Sequence, residues 1–152
     1  MKTLENQADK HELLRRLATI HRESASRWGR MSASQMIAHL KDAFEMSMGL
    51  RRVSPVRVPY PRRVLQWTAL WVPIPWPHGF PAAPELNQEV SGTPPQEFGA
   101  DVRDLAALIE RFTRRPRDFE WCPHPHFGAM SERGWMRLGY LHTDHHFRQF
   151  GA

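Results

Sequence analysis

Three histidines near the end of the chain, His142, His145 and His146, offer imidazole nitrogens at helical spacing. Residues four apart on a helix share a face, about 5–6 Å between Cβ atoms, so His142 and His146 can aim at one point. A first-row divalent metal ion accepts that kind of grip. On a helical wheel both flank Trp135, on the face that carries Leu138, and therefore look inward. Two ligands do not complete a tight site. His39 is the only histidine expected to point inward from the second helix, three residues after Met36 and four before Ala43. Three protein ligands leave a coordination position for water or substrate, a feature of catalytic rather than structural metal sites. The competing reading makes these surface or core imidazoles. Core imidazoles need polar partners, which a metal would supply; spacing alone does not decide between the two.

Other polar residues have double readings. Asp42 lies one turn from His39 and either hydrogen-bonds a ligand imidazole, fixing its tautomer, or is an exposed helix charge. His145, directed between Leu138 and Leu141, reads as a core histidine or a support for the ligands rather than a fourth ligand. His124 and His126 flank Pro125 and read as loop anchors, with a pocket-bordering His124 as the lesser alternative. Cys122 is most simply a small buried apolar residue, since nothing near it in sequence would lower a thiol pKa. No general base stands out.

The elements that must position these residues are helices. The first is expected over residues 9–28, from an Asp9–Glu12 capping box to a stop near Gly29, with Leu13, Leu14, Leu17, Ile20 and Trp28 near one face. The second opens at Ser32 with Gln35 completing the box and Met31–Met36 as a staple, and runs to about Leu50. Residues 51–95 hold ten of the chain's 13 prolines, which excludes a long helix or a central strand. Residues 62–72 can still form a short helix. Trp67, Trp71 and Trp76 read as core or dimer contacts, or as a lid over an open end. The third long helix is expected from a Thr93 cap and Pro94 at the first position to Arg115-Pro116, with Phe98, Val102, Leu105, Leu108, Ile109 and Phe112 inward. The last runs from a Ser131 cap to about Phe150, after a loop over residues 121–128.

A length of 152 residues suits one domain, 1–152, and 41% hydrophobic with 24% charged residues is a globular balance. No apolar run approaches the roughly 20 residues of a membrane helix, and the polar start lacks a secretory signal. The single Cys122 excludes an internal disulfide, so a reducing cytoplasm fits. The formal charge of +5 invites a nucleic-acid reading. The arginines come as scattered pairs without a binding motif, which favours a solvated surface.

The stretch His124-Pro125-His126-Phe127-Gly128-Ala129-Met130-Ser131, then Trp135 and His142-Thr143-Asp144-His145-His146-Phe147-Arg148-Gln149, resembles the C-terminal signature of the DinB-like superfamily, in particular an uncharacterised branch of it. Trp28-Gly29-Arg30-Met31-Ser32 leading into Gln35-Met36-Ile37-Ala38-His39-Leu40 is similar to its second-helix pattern, and Gly92-Thr93-Pro94-Pro95 to a helix start. The resemblance implies an all-α four-helix bundle with a long Pro/Trp-rich crossover between helices 2 and 3, often dimeric. It implies a divalent metal, zinc or nickel, on His39, His142 and His146. Relatives implied by it transfer low-molecular-weight thiols or perform thiol-dependent isomerisation; chemistry alone allows hydrolysis equally. The expectation is a metal-dependent enzyme acting on a small molecule such as a thiol, a homodimer without membrane or nucleic-acid partners. The alternative is a non-catalytic metal-binding or interaction protein.

Overall fold

A computed structural model describes residues 1–152, and the chain is all-helical with no strands. Five α-helices follow in order: α1 Gln7–Leu17, α2 Ala33–Ser47, α3 Arg62–Trp71, α4 Phe98–Thr113 and α5 Glu132–Gln149, with a 3₁₀ turn at Pro84–Leu86. No helix is long and apolar enough to cross a membrane.

α1 starts earlier and stops sooner than its periodicity predicts. Asn6, not Asp9, is the cap, its side chain accepting from the Ala8 and Asp9 N–H groups, while Asp9 reaches back to accept from the Thr3 N–H. The helix ends at Leu17 because Thr19 and Ser24 offer the backbone other partners: the Thr19 hydroxyl donates to Arg16 O, and Ser24 Oγ accepts from the His21 N–H. Ile20 still reaches the core, but Trp28 does not continue α1. α2 matches its reading, with the Ser32–Gln35 capping box formed in both directions and Met36, Ile37, Leu40 and Phe44 buried.

α4 begins at Phe98, capped by the Glu97 carboxylate on the Gly99 and Ala100 N–H groups, rather than at Thr93-Pro94. Thr93 is engaged elsewhere: its N–H and hydroxyl donate to Asp42, and its hydroxyl oxygen accepts from Arg51. Leu105, Ile109 and Phe112 face the core. α5 is capped by Ser131 as expected.

α2 packs on α4 and α5, while α1 and α3 pack on α5. Ion pairs tie neighbours together: Lys41 of α2 to Asp101 of α4 at 2.6 Å, and Arg16 of α1 to Asp144 of α5 at 2.6 Å. Gly139 permits close packing on α5, since a Cβ there would sit 2.7 Å from Leu4 Cδ1. In the α2–α4 crossover, α3 buries Leu70, and the Trp76 indole N–H donates to Ala69 O at 2.8 Å. Residues 46–84 contain five of the chain's 21 basic residues and none of its 16 acidic ones, so this segment carries the entire formal charge of +5. Arg52, Arg57 and Arg63 in it are exposed.

Candidate metal centre

α2 and α5 bring His39, His142 and His146 together, with one ligand atom from each lying within 4.8 Å of the others. A group of this kind can hold a metal ion. The rings of His142 and His146 stand 4.8 Å apart between centroids, one turn apart on α5 as helical spacing requires. His39 lies 4.9–5.0 Å from each. Its Nε2 is 3.1 Å from the Nε2 of His142. Bonds of about 2.0–2.1 Å to one ion place ligand nitrogens roughly 2.8–3.4 Å apart for angles between right and tetrahedral. The His39–His142 pair already has that separation.

The far side of two rings fixes which nitrogen is free. His39 Nδ1 meets the Leu86 carbonyl at 2.7 Å, a contact only an N–H can satisfy, so Nε2 carries the lone pair. His146 Nδ1 meets Gln149 Oε1 at 2.9 Å, and the Gln149 amide is oriented by its Nε2 donating to Trp28 O at 2.8 Å. Gly29, at φ +75°, allows this approach: a Cβ there would stand 3.0 Å from Gln149 Nε2. The His39 lone pair thus faces His142 Nε2, and His146, its Nδ1 spent on Gln149, has only Nε2 left to offer the same cluster. A cation meets all three at once, so the donor set fits a metal.

Burial pushes the pKa of His39 down, and burial with the neighbouring imidazoles pushes His142 and His146 well below the ordinary histidine value. Neutral imidazoles are the ligating form. His124 is pushed down to about 3, chiefly by burial. These depressed values set the acid response of the metal-free protein. Above the unfolded value near 6.5, both states are neutral and stability is unaffected. Below it the unfolded chain takes up protons that the folded chain refuses. Stability then falls by about 1.4 kcal/mol per pH unit for each such histidine. The urea midpoint of metal-free protein is expected to hold steady from pH 8 to pH 7 and to drop steeply below about pH 6.5; a midpoint flat to pH 5 would contradict the burial.

Gln149 was not legible as a site residue, although it stands one turn after His146. Such outer partners typically contribute 10–100-fold to metal affinity. Gln149→Leu is expected to weaken metal binding by about that factor with helicity retained, as read by competition with a chromogenic chelator.

Asp42 does neither of the things expected of it. It is 1% exposed, and it touches no imidazole. Its carboxylate accepts from Gln88 Nε2 at 2.7 Å, the Thr93 N–H at 2.8 Å and the Thr93 hydroxyl at 2.6 Å, and pairs with Arg51 at 2.9 Å. It thereby anchors the chain just after Leu86, whose carbonyl holds His39.

The three histidines open into a cavity of about 630 Å³. His145 lies outside the triad and outside the core. It lines this cavity, its ring 5.6 Å from Trp28, 6.0 Å from Trp76 and 6.1 Å from His78. Trp28 stacks on His78 at 4.2 Å, and Trp76 stands 6.2 Å from His142. His124 anchors its loop through Nδ1, which accepts from the His126 and Phe127 N–H groups, and both His124 and His126 line the cavity as well. The three crossover tryptophans divide: Trp76 is a cavity wall, Trp71 lies under the Arg133 guanidinium at 4.9 Å, and Trp67 is 60% exposed. Cys122 is half-buried and faces none of this.

A family model described as "Protein of unknown function (DUF1569)" matches residues 3–152. No curated protein and no solved structure matches the chain.

Proposed function

Because the chain belongs to the DUF1569 family of proteins of unknown function, its activity has to be read from the site, and we propose that it is a metal-dependent enzyme whose His39, His142 and His146 hold one divalent ion. The observation that carries this is the convergence of Nε2 lone pairs whose opposite nitrogens are already spent, on Leu86 O and on Gln149. Zinc and nickel are the ions this reading favours, since imidazole suits both. The proposal includes the DinB-like kinship: a single domain built as a four-helix bundle of α1, α2, α4 and α5, with the crossover between α2 and α4, assembling as a homodimer.

A divalent ion at this position supplies a Lewis acid. The chain does the rest. His39, His142 and His146 would hold the ion at the cavity wall, the Leu86 carbonyl and Gln149 hold two of the rings in the ligating tautomer, and the Trp76 ring stands beside His142. Transfer or isomerisation involving a small thiol is the reaction class the resemblance supports, with hydrolysis of a small ester or amide as the chemical alternative.

The test is elemental analysis of protein purified without a histidine tag, followed by turnover against thiol and ester panels before and after chelation. About one zinc or nickel per chain and chelator-sensitive turnover are expected. Folded protein that takes up no metal would overturn the reading. Exposed Trp67 favours the non-catalytic alternative, an interaction protein; inertness toward every panel, with metal loss unfolding the chain, would select it.

A further inference from the structure

The geometry points to the ligand class: the cavity takes a neutral, apolar or aromatic molecule carrying a single metal-seeking head, and excludes thiols that bear carboxylates or ammonium groups. Only the role of the head rests on the metal reading above; the rest stands on the walls.

Charge is the first argument. Among the residues lining the cavity, Arg30 and Glu89 alone carry a formal charge. Their side chains are 89% and 54% exposed and lie 3.7 Å from each other, at the rim rather than inside. Away from the three histidines, a carboxylate or ammonium brought into such a space loses its water without gaining a charged partner.

Polar capacity is the second. Several of the lining groups that could read a hydroxyl or amide are already engaged elsewhere, leaving mainly neutral imidazoles and amide nitrogens. Gln35 Oε1 accepts from the Ser32 N–H, and the Ser47 and Thr68 hydroxyls donate to Phe44 O and Val64 O. Gln149 is spent between His146 and Trp28. One buried acceptor, Gln88 Oε1, and one buried donor, Trp135 Nε1, on lining residues have no partner, and neither carries a charge.

Shape is the third. The Trp76 indole, pinned by its N–H on Ala69 O, cannot turn its polar edge inward and presents its ring beside His142. The volume of about 630 Å³ falls within the range of pockets that bury small organic ligands. A peptide thiol such as glutathione would bring two carboxylates and an ammonium into it.

The experiment compares benzyl mercaptan with its para-carboxy analogue and with glutathione on the metal-loaded protein, read by calorimetry and by tryptophan fluorescence. Toluene is titrated into metal-stripped protein in parallel. Benzyl mercaptan is expected to bind at least about 100-fold more tightly than the carboxylated analogue, because the unpaired carboxylate costs several kcal/mol to bury. Toluene is expected to bind without metal. Trp76→Ala is expected to weaken both apolar ligands by about tenfold, the loss of one aromatic contact and its buried area, at unchanged metal stoichiometry. Ala43→Phe, which fills the space one turn beyond His39, is expected to block toluene and serves if the Trp76 variant fails to fold. Equal affinity for benzyl mercaptan and the carboxylated thiols, or no toluene binding to folded protein, overturns the ligand class. Toluene binding by a protein that never takes up metal would instead overturn the metal reading and leave the apolar cavity standing.

Discussion

His142→Ala is expected to reduce affinity for a divalent ion by about 100- to 1,000-fold while leaving the chain folded. Structural zinc sites release roughly 10–16 kcal/mol over four ligands, or about 2.5–4 kcal/mol per ligand, which is about two to three decades in affinity. His142 is the right member of the triad to change. Its Nε2 stands 3.1 Å from that of His39, so it sits at the convergence, and no helix cap or interhelical ion pair depends on it. His145→Ala is the matched control on the same helix: it removes an imidazole from the cavity wall but not from the triad, so metal stoichiometry should be kept. Titration of both variants with zinc against a chelating dye, alongside circular dichroism, separates the cases. Loss of metal in both, or in neither, would mean that the triad is not the binding centre.

The second large effect is expected at a residue that touches no ligand. Asp42→Ala should destabilise the protein by about 3–5 kcal/mol, the cost of removing one partner from a buried ion pair. It leaves Arg51, the Thr93 N–H and hydroxyl, and Gln88 without their shared acceptor. Because Gln88 and Thr93 follow Leu86 closely in the chain, the Leu86 carbonyl loses its fixed place opposite His39. Metal affinity should fall with it, by about 10–100-fold, as for other residues that orient ligands. Asp42→Asn, which keeps the shape, should lose less stability. Urea denaturation and dye competition on the two variants measure both quantities. Full metal affinity in a destabilised Asp42→Ala protein would show that Leu86 needs no anchor.

The site was legible where one helix supplied the geometry. His142 and His146 fall on one face by spacing alone, and the Ser32–Gln35 box set the phase of α2 well enough to turn His39 inward. What spacing cannot convey is a contact made by backbone. The Leu86 carbonyl has no signature in sequence, and it took the place imagined for Asp42 behind His39. Spacing gives Asp42 and Thr93 local tasks, a bond to His39 or a helix charge for one and a helix cap for the other, whereas they bond each other, 51 residues apart. The same competition explains α1. Leu13, Leu17 and Ile20 keep helical spacing in the core, but hydroxyls at Thr19 and Ser24 take the backbone out of the helix first. Gln149 sits one turn after His146, but spacing alone does not turn its amide toward the ring; that orientation comes from the distant Trp28 carbonyl, which accepts from its Nε2.

The arginine-bearing stretch between α2 and the 3₁₀ turn makes the molecule electrically lopsided. Elsewhere positive and negative side chains are equal in number, and with Arg51 paired to Asp42 the exposed Arg52, Arg57 and Arg63 are the charges of this stretch that a polyanionic surface would meet. That attraction fades over about 8 Å at physiological ionic strength, so it governs which side arrives first and not how tightly anything is held once there.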